Sequence, residues 1–249
     1  MNRPINALLL GAVAALPSLA LAQGTSDADL AKQLANPVAS LISVPFQNNF
    51  DFGGGVNDDA FRYTLNIQPV VPISLSEDWN LISRTILPIV YQKDLLPPEV
   101  TPSDVDPNED QAGLGDTLQS LFLSPAQSDP IWGIGPVLLL PTATREVLGT
   151  QKWGAGPTGV VLKQLGPWTG GMLANHIWSF AGDDDREDVS LTFLQPFLSY
   201  TTTDAWTFTL QTETTYNWEA DEDEWTVPIG AFVSKVVDIA GQKVSFQGG

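Results

Sequence analysis

The chain has no cysteine and a single histidine, His176. The first absence removes any disulfide framework and any lipobox cysteine to acylate. Together the two leave no His/Cys cluster for a transition metal. Basic residues are scarce as well, with 11 Lys and Arg against 29 Asp and Glu and a net charge of -18. That balance argues against nucleic acid as a partner, because phosphate binding needs basic patches. Long apolar runs are missing too: beyond residue 22 nothing approaches the roughly 18 consecutive apolar residues of a spanning helix. No acidic segment has the Asp-x-Asp-x-Asp-Gly spacing of a calcium loop, so neither a metal nor a cofactor is expected.

What is present is alternation. Phe61, Tyr63, Leu65, Ile67, Val71, Ile73 and Leu75 take odd positions, and Arg62, Thr64, Asn66, Gln68 and Ser74 take even ones. Successive strand side chains point to opposite faces, so this run has one apolar wall and one wet wall. Trp206, Phe208, Leu210, Tyr216 and Trp218 repeat the pattern against Thr207, Thr209, Gln211, Glu213, Thr215 and Asn217. At the amino end, Arg3 precedes the apolar run Ala7 to Leu16 and the small-residue pattern Ala20-Leu21-Ala22. This reads as an export signal over 1–22, with a mature chain from Gln23. An exported chain of two-faced strands predicts an all-β fold, an antiparallel transmembrane β-barrel.

A short helix is expected over Asp27 to Leu34, capped by Ser26, within a periplasmic segment spanning 23–40. The barrel follows over 41–249, with about eleven strands present of about twelve. They lie near 41–52, 60–75, 79–92, 113–124, 131–142, 156–165, 168–180, 189–200, 205–218, 225–236 and 242–248. Short connectors (Ser76-Glu77-Asp78, Gly166-Pro167, Thr201 to Asp204) alternate with mostly longer ones at 53–59, 93–112, 143–155, 181–188 and 219–224. Outer-membrane barrels have short periplasmic turns and longer external loops, so the long, acidic set should face outward. Trp79, Trp132, Trp168 and Trp206 open strands after the short turns, and Trp153, Trp178, Trp218 and Trp225 stand at or beside the opposite ends. These are all eight tryptophans, and they form the two interfacial girdles of a barrel.

Several residues resist the pattern. Strand 113–124 alternates poorly, strand 168–180 is ambiguous, and Asn48 falls on the apolar parity of the first strand. Prolines 45, 69, 72, 88, 136, 141, 196 and 228 lie inside or at the ends of strands, where bulges or kinks are expected.

The segment Leu30-Ala31-Lys32-Gln33-Leu34-Ala35-Asn36-Pro37-Val38-Ala39-Ser40-Leu41-Ile42-Ser43-Val44-Pro45-Phe46-Gln47 resembles the mature start of a group of bacterial outer-membrane proteins. Further matches are Trp79-Asn80-Leu81-Ile82-Ser83-Arg84-Thr85, Gly113-Leu114-Gly115-Asp116, Trp132-Gly133-Ile134-Gly135-Pro136, Pro141-Thr142-Ala143, Trp178-Ser179-Phe180-Ala181-Gly182 and Gln195-Pro196-Phe197. The family is named for the meta-pathway of phenol degradation and is labelled a transporter or, misleadingly, neuromedin U. The resemblance implies a Gram-negative outer-membrane barrel that moves small molecules, hydrophobic or aromatic ones among them. It carries over no catalytic or binding residues. Outer-membrane lipid, the barrel-assembly machinery and an unidentified small solute are the partners it implies.

The carboxyl end departs from that pattern. An outward strand leaves Gly249 outside, yet such barrels have an even strand count and finish on an aromatic residue. The expectation is that the last strand is missing, with an unpaired edge on the first and eleventh strands.

Two classes of function follow. In a channel, inward-parity Arg62, Asn66, Gln68, Arg84, Gln211 and Glu213 line a polar lumen, with Arg84 the prime candidate because a mid-strand charge must face the interior. The competing structural reading has these charges pairing in a packed lumen and plugging it. In an outer-membrane hydrolase, His176 would be the base. The barrel phospholipase pattern has a serine two residues beyond its histidine, whereas Ser179 is three beyond and opposite in parity; the barrel protease pattern needs Asp-His, and Asn175 precedes His176. No catalytic residue is expected, and a purely structural barrel requires a plugged lumen.

Overall fold

The computed structural model describes residues 6–15, 26–53, 59–95 and 110–249. The helix α1 (Asp27–Leu34) starts where the sequence places it: Ser26 Oγ accepts the Asp29 N–H at 3.1 Å, and Asp27 and Asp29 lie at the positive end of the helix. It stops before Asn36-Pro37, since a residue preceding proline avoids the helical region. Asn36 then caps the turn by accepting the Val38 N–H.

Among the described residues, sixteen strand segments form one antiparallel sheet. Four crossings are each interrupted once, so the segments make twelve: β1 (Asn6–Ala15), β2 (Ser43–Phe52), β3 (Phe61–Ile67 and Val70–Ser74), β4 (Trp79–Lys93), β5 (Gln111–Leu114 and Thr117–Pro125), β6 (Ile131–Leu140), β7 (Lys152–Leu165), β8 (Trp168–Gly182), β9 (Ser190–Thr201), β10 (Trp206–Thr212 and Thr214–Asn217), β11 (Trp225–Thr226 and Ile229–Ile239) and β12 (Gln242–Gly248). Each pairs with its sequence neighbours, and β1 pairs with β12, so the ring closes. A closed antiparallel barrel satisfies every ladder without an edge, the condition a bilayer imposes.

The twelfth place is filled differently from expectation. Asn6–Ala15, from the stretch read as a leader, lies between β2 and β12, in register from Asn6↔Phe52 to Ala15↔Ser43 on one side and from Leu10↔Gly248 to Ala14↔Val244 on the other. A strand edge accepts any extended segment that brings backbone donors and acceptors, and a ten-residue strand, apolar but for Asn6, suffices to cross. Residues 1–5 and 16–25, including Arg3 and the Ala20-Leu21-Ala22 pattern, lie outside the described residues. So do 54–58 and 96–109, which hold Glu99, Asp104, Asp106 and Glu109.

Only some prolines disturb the ladder. The interruption of β3 falls at Gln68-Pro69, and that of β11 at Val227-Pro228. Around the first, Gln68 donates to the Pro45 carbonyl and Thr85 to the Pro69 carbonyl. Pro136 and Pro157 instead stand opposite one another in unbroken register. The β5 interruption at Gly115-Asp116 shifts pairing by one residue, from Val90↔Gly113 to Ile86↔Leu118. A further irregularity lies between Ser179 and Ala181. Gly135 and Gly156 sit where a Cβ would overlap the Leu121 and His176 carbonyls, so at these two positions the neighbouring strand leaves no room for a side chain.

Candidate site in the lumen

The inner face is identified by what fills it. Val38, just beyond α1, packs with Val70, Ile82, Phe122, Val160, Leu162 and Leu173, which come from five different crossings, and Phe193 and Phe197 join them. Side chains from so many crossings meet only inside the ring. Phe122 and Ile82 are fully buried. Residues 26–42 are tied to the ring around its circumference: Asn80 of β4 donates to Ser40 Oγ at 3.2 Å, Gln164 of β7 to the Lys32 carbonyl at 3.4 Å, and Lys243 of β12 to Asp27 at 2.9 Å. Ala31 is buried against Ala205 and Val236. Because β4 and β10 start at this end, the segment is a plug in the short-turn half of the barrel.

A polar belt lies on the loop side of this plug. Arg84 donates to Gln68 Oε1 at 3.1 Å, and Gln68 donates to Gln47 Oε1 at 2.5 Å. Glu213 accepts from Gln195 at 3.2 Å and from Gln211 at 3.0 Å. Arg84 and Glu213 sense each other's charge. Arg62 faces Asp51 across the β2–β3 pair, and Asn66 stands opposite Gln47. The structure therefore brings Gln68 and Arg84 into one network, Gln211 and Glu213 into another, and leaves Arg62 and Asn66 in separate cross-strand pairs.

A uniformly polar lumen, as the alternation suggests, is not what forms. The charged groups and most amides of the belt come from β2, β3, β4 and β10, with Gln195 from β9, whereas β5 to β9 add apolar groups such as Phe122, Val160, Leu162, Leu173 and Phe193 among smaller hydroxyl side chains. Nearer the loops, Val137, Leu139 and Ile177 make a second buried cluster with Leu118 and Val189. The missed residues left a signal in the poor alternation of 113–124 and the ambiguity of 168–180. Phe122 shares a face with Ser120 and Ser124, and Leu173 and Ile177 share one with Asn175, because an inner wall that is itself apolar erases the period of two.

The outer wall explains the remaining exceptions. Asn48 faces outward and accepts the Tyr63 hydroxyl at 2.7 Å. Gln119 accepts from Thr85 at 2.6 Å and donates to Ser83 at 3.0 Å, so these lipid-side polar groups satisfy one another. His176 also faces outward. Its Nδ1 lies 2.7 Å from Thr192 Oγ1, its ring centroid 4.0 Å from that of Trp178, and Trp218 Nε1 donates to the same hydroxyl. Its neighbours are a threonine and two indoles, and among the described residues no hydrogen bond joins it to a serine or a carboxylate.

At the loop rim, Asp116 of the Gly-Leu-Gly-Asp segment accepts from Ala143 N, Thr150 N and Thr150 Oγ1 at 3.2, 2.6 and 2.8 Å. This pins residues 141–151, with Leu148 buried against Gly113. Lys152 pairs with Asp188 at 3.0 Å, and Ser179 donates to the same oxygen. These bonds hold the Asp188 carboxyl below the usual carboxylate range.

The molecule is thus an antiparallel transmembrane β-barrel with an internal amino-terminal plug. Its fold is similar to the crystal structure of an outer membrane channel from Pseudomonas putida, at 14% identity and a TM-score of 0.54 over 99% of this chain and 96% of that one. No family model matches the chain. No curated protein matches it.

Proposed function

We propose that the protein is an outer-membrane channel-type barrel that passes small hydrophobic or aromatic molecules, with its short turns in the periplasm. The observation that carries this reading is the composition of the lumen. A hydrated ion entering from the loops meets the amide belt and then a dry floor of Ile82, Phe122, Val160, Leu162 and Val38, which offers nothing to replace its water. A small apolar molecule loses nothing on that floor, and the Arg84, Gln68 and Glu213 belt can hydrogen-bond a single hydroxyl. The likeness to a solved outer membrane channel supports the barrel and its location in the same direction.

Planar-bilayer currents measured beside cellular uptake of a labelled alkylbenzene test this reading. The expected result is near-silent bilayers, with uptake that falls when the gene is deleted. Large stepwise ionic currents without any effect on alkylbenzene uptake would overturn it in favour of a hydrophilic pore.

A further inference from the structure

We propose that a groove on the outer wall, at the turn end between β10 and β11, is a headgroup site for phosphatidylethanolamine. The groove encloses about 310 Å³ and is lined by Thr202, Asp204, Trp206, Phe208 and Val233. Lys235 stands opposite Trp206 in the β10–β11 register, with Nζ 5.2 Å from the indole centroid. The ammonium donates to the backbone carbonyl of Asp204, which occupies one of its three N–H donors and leaves two for a ligand. Asp204, one of the lining residues, is exposed, and among the described residues its carboxylate forms no ion pair with Lys235. The groove therefore has a negative group in its lining and, at its Trp206 wall, a positive one that forms no ion pair with it.

The depth of the site matches a headgroup. Trp206 belongs to the turn-end set with Trp79, Trp132 and Trp168, which marks the interface plane of the bilayer. From that plane Phe208 and Val233 run toward the hydrocarbon, both about half exposed. Gly248 lies opposite Val233 and puts no side chain there to fill the dent. Basic pockets at membrane interfaces bind lipid headgroups, and here the acidic partner selects among them. A headgroup that is only anionic meets the Asp204 charge. Quaternary choline has no N–H to give a carboxylate. Phosphatidylethanolamine places its phosphate on Lys235 and its ammonium on Asp204, with the acyl chains against Phe208 and Val233. On β7 the comparable Lys163 is already paired with Asp129 at 3.5 Å, which makes it the natural control.

This inference rests on the membrane location proposed above, and the experiment separates the two. The full chain is inserted into vesicles of equal parts phosphatidylethanolamine, phosphatidylcholine and phosphatidylglycerol, extracted, and examined by native mass spectrometry for retained lipid. The expected enrichment of phosphatidylethanolamine over either competitor is about fivefold, the ratio that ~1 kcal/mol per interfacial charge produces. Asp204→Asn should shift retention toward phosphatidylglycerol, Lys235→Gln should abolish both preferences, and Lys163→Gln should change nothing. Even retention by the wild type, or enrichment that survives both groove substitutions, overturns the site. Should Lys235→Gln misfold, the exposed-turn variant Asp204→Asn decides alone. A chain that never inserts sinks the membrane reading and the site together, whereas insertion with even retention sinks only the site.

Discussion

Arg84 and Glu213 are charged members of the lumen belt, and the hydrogen bonds that hold each come from amide side chains. Gln68 takes one guanidinium donor, and Gln195 and Gln211 supply the carboxylate. A double-mutant cycle with Arg84→Met and Glu213→Gln should return a coupling of about 0.5–1 kcal/mol by urea denaturation, at the low end for coupled residues because the two stand in separate amide networks. Arg84→Glu should also change solute uptake more than Lys93→Glu, whose side chain is half exposed beside Asp94. Equal and negligible effects in well-folded variants would leave Arg84 a structural role only. Lys243, another cation on the inner face, is a poor control because it bridges Asp27 and Asp238. The Asp188 tether has a pH dependence of fixed sign. Its folded carboxyl titrates below its unfolded value, so the tether contributes fully above the unfolded range and is lost as pH falls through the folded one, below about pH 4. Proteolysis within 183–189 should accelerate in that window, and Lys152→Met should remove the pH step.

At the scale of elements, the helix and the crossings could be read from the chain because their signals are local: Ser26 before Asp29, and periods of two bounded by Gly, Pro and Asp. The plug could not. Val38 sits in a stretch with no periodicity, and its partners Ile82, Phe122 and Leu173 lie far away along the chain, brought to it only by ring closure. Polarity marks the belt residues in the sequence but not the floor beneath them, whose apolar side chains look like those of any buried strand. Phe122→Ala should lower stability by about 3–5 kcal/mol, the cost of emptying a fully packed aromatic site. Val38→Asp places an unpaired carboxylate in that floor, which costs several kcal/mol unless the segment leaves. Its expected signature is ionic current where the wild type is quiet, with the barrel still heat-modifiable. Continued silence from a folded Val38→Asp barrel would mean that the floor closes without the plug.

For the whole molecule, the join between β2 and β12 decides integrity. Asn6–Ala15 pairs with both β2 and β12, so a chain that starts at Gln23 leaves those two ladders without their partner. A chain beginning at Gln23 should then lose the heat-modifiable monomer band that residues 1–249 give, and recover it when a two-faced strand ending in an aromatic residue is appended. A stable monomer from 23–249 without any addition would rule this out. Orientation has its own check: protease added to intact cells should cut within 93–112, and a requirement for permeabilisation would reverse the proposed topology. The tethers from Asn80, Gln164 and Lys243 have a mechanical consequence as well. They reach the ring from β4, β7 and β12, so the amino-terminal segment acts as a cross-brace on a thin elastic hoop. A hoop braced at three bearings resists flattening under the lateral pressure of the bilayer. An unbraced one is free to become oval and breathe, so opening the lumen and softening its wall are a single event.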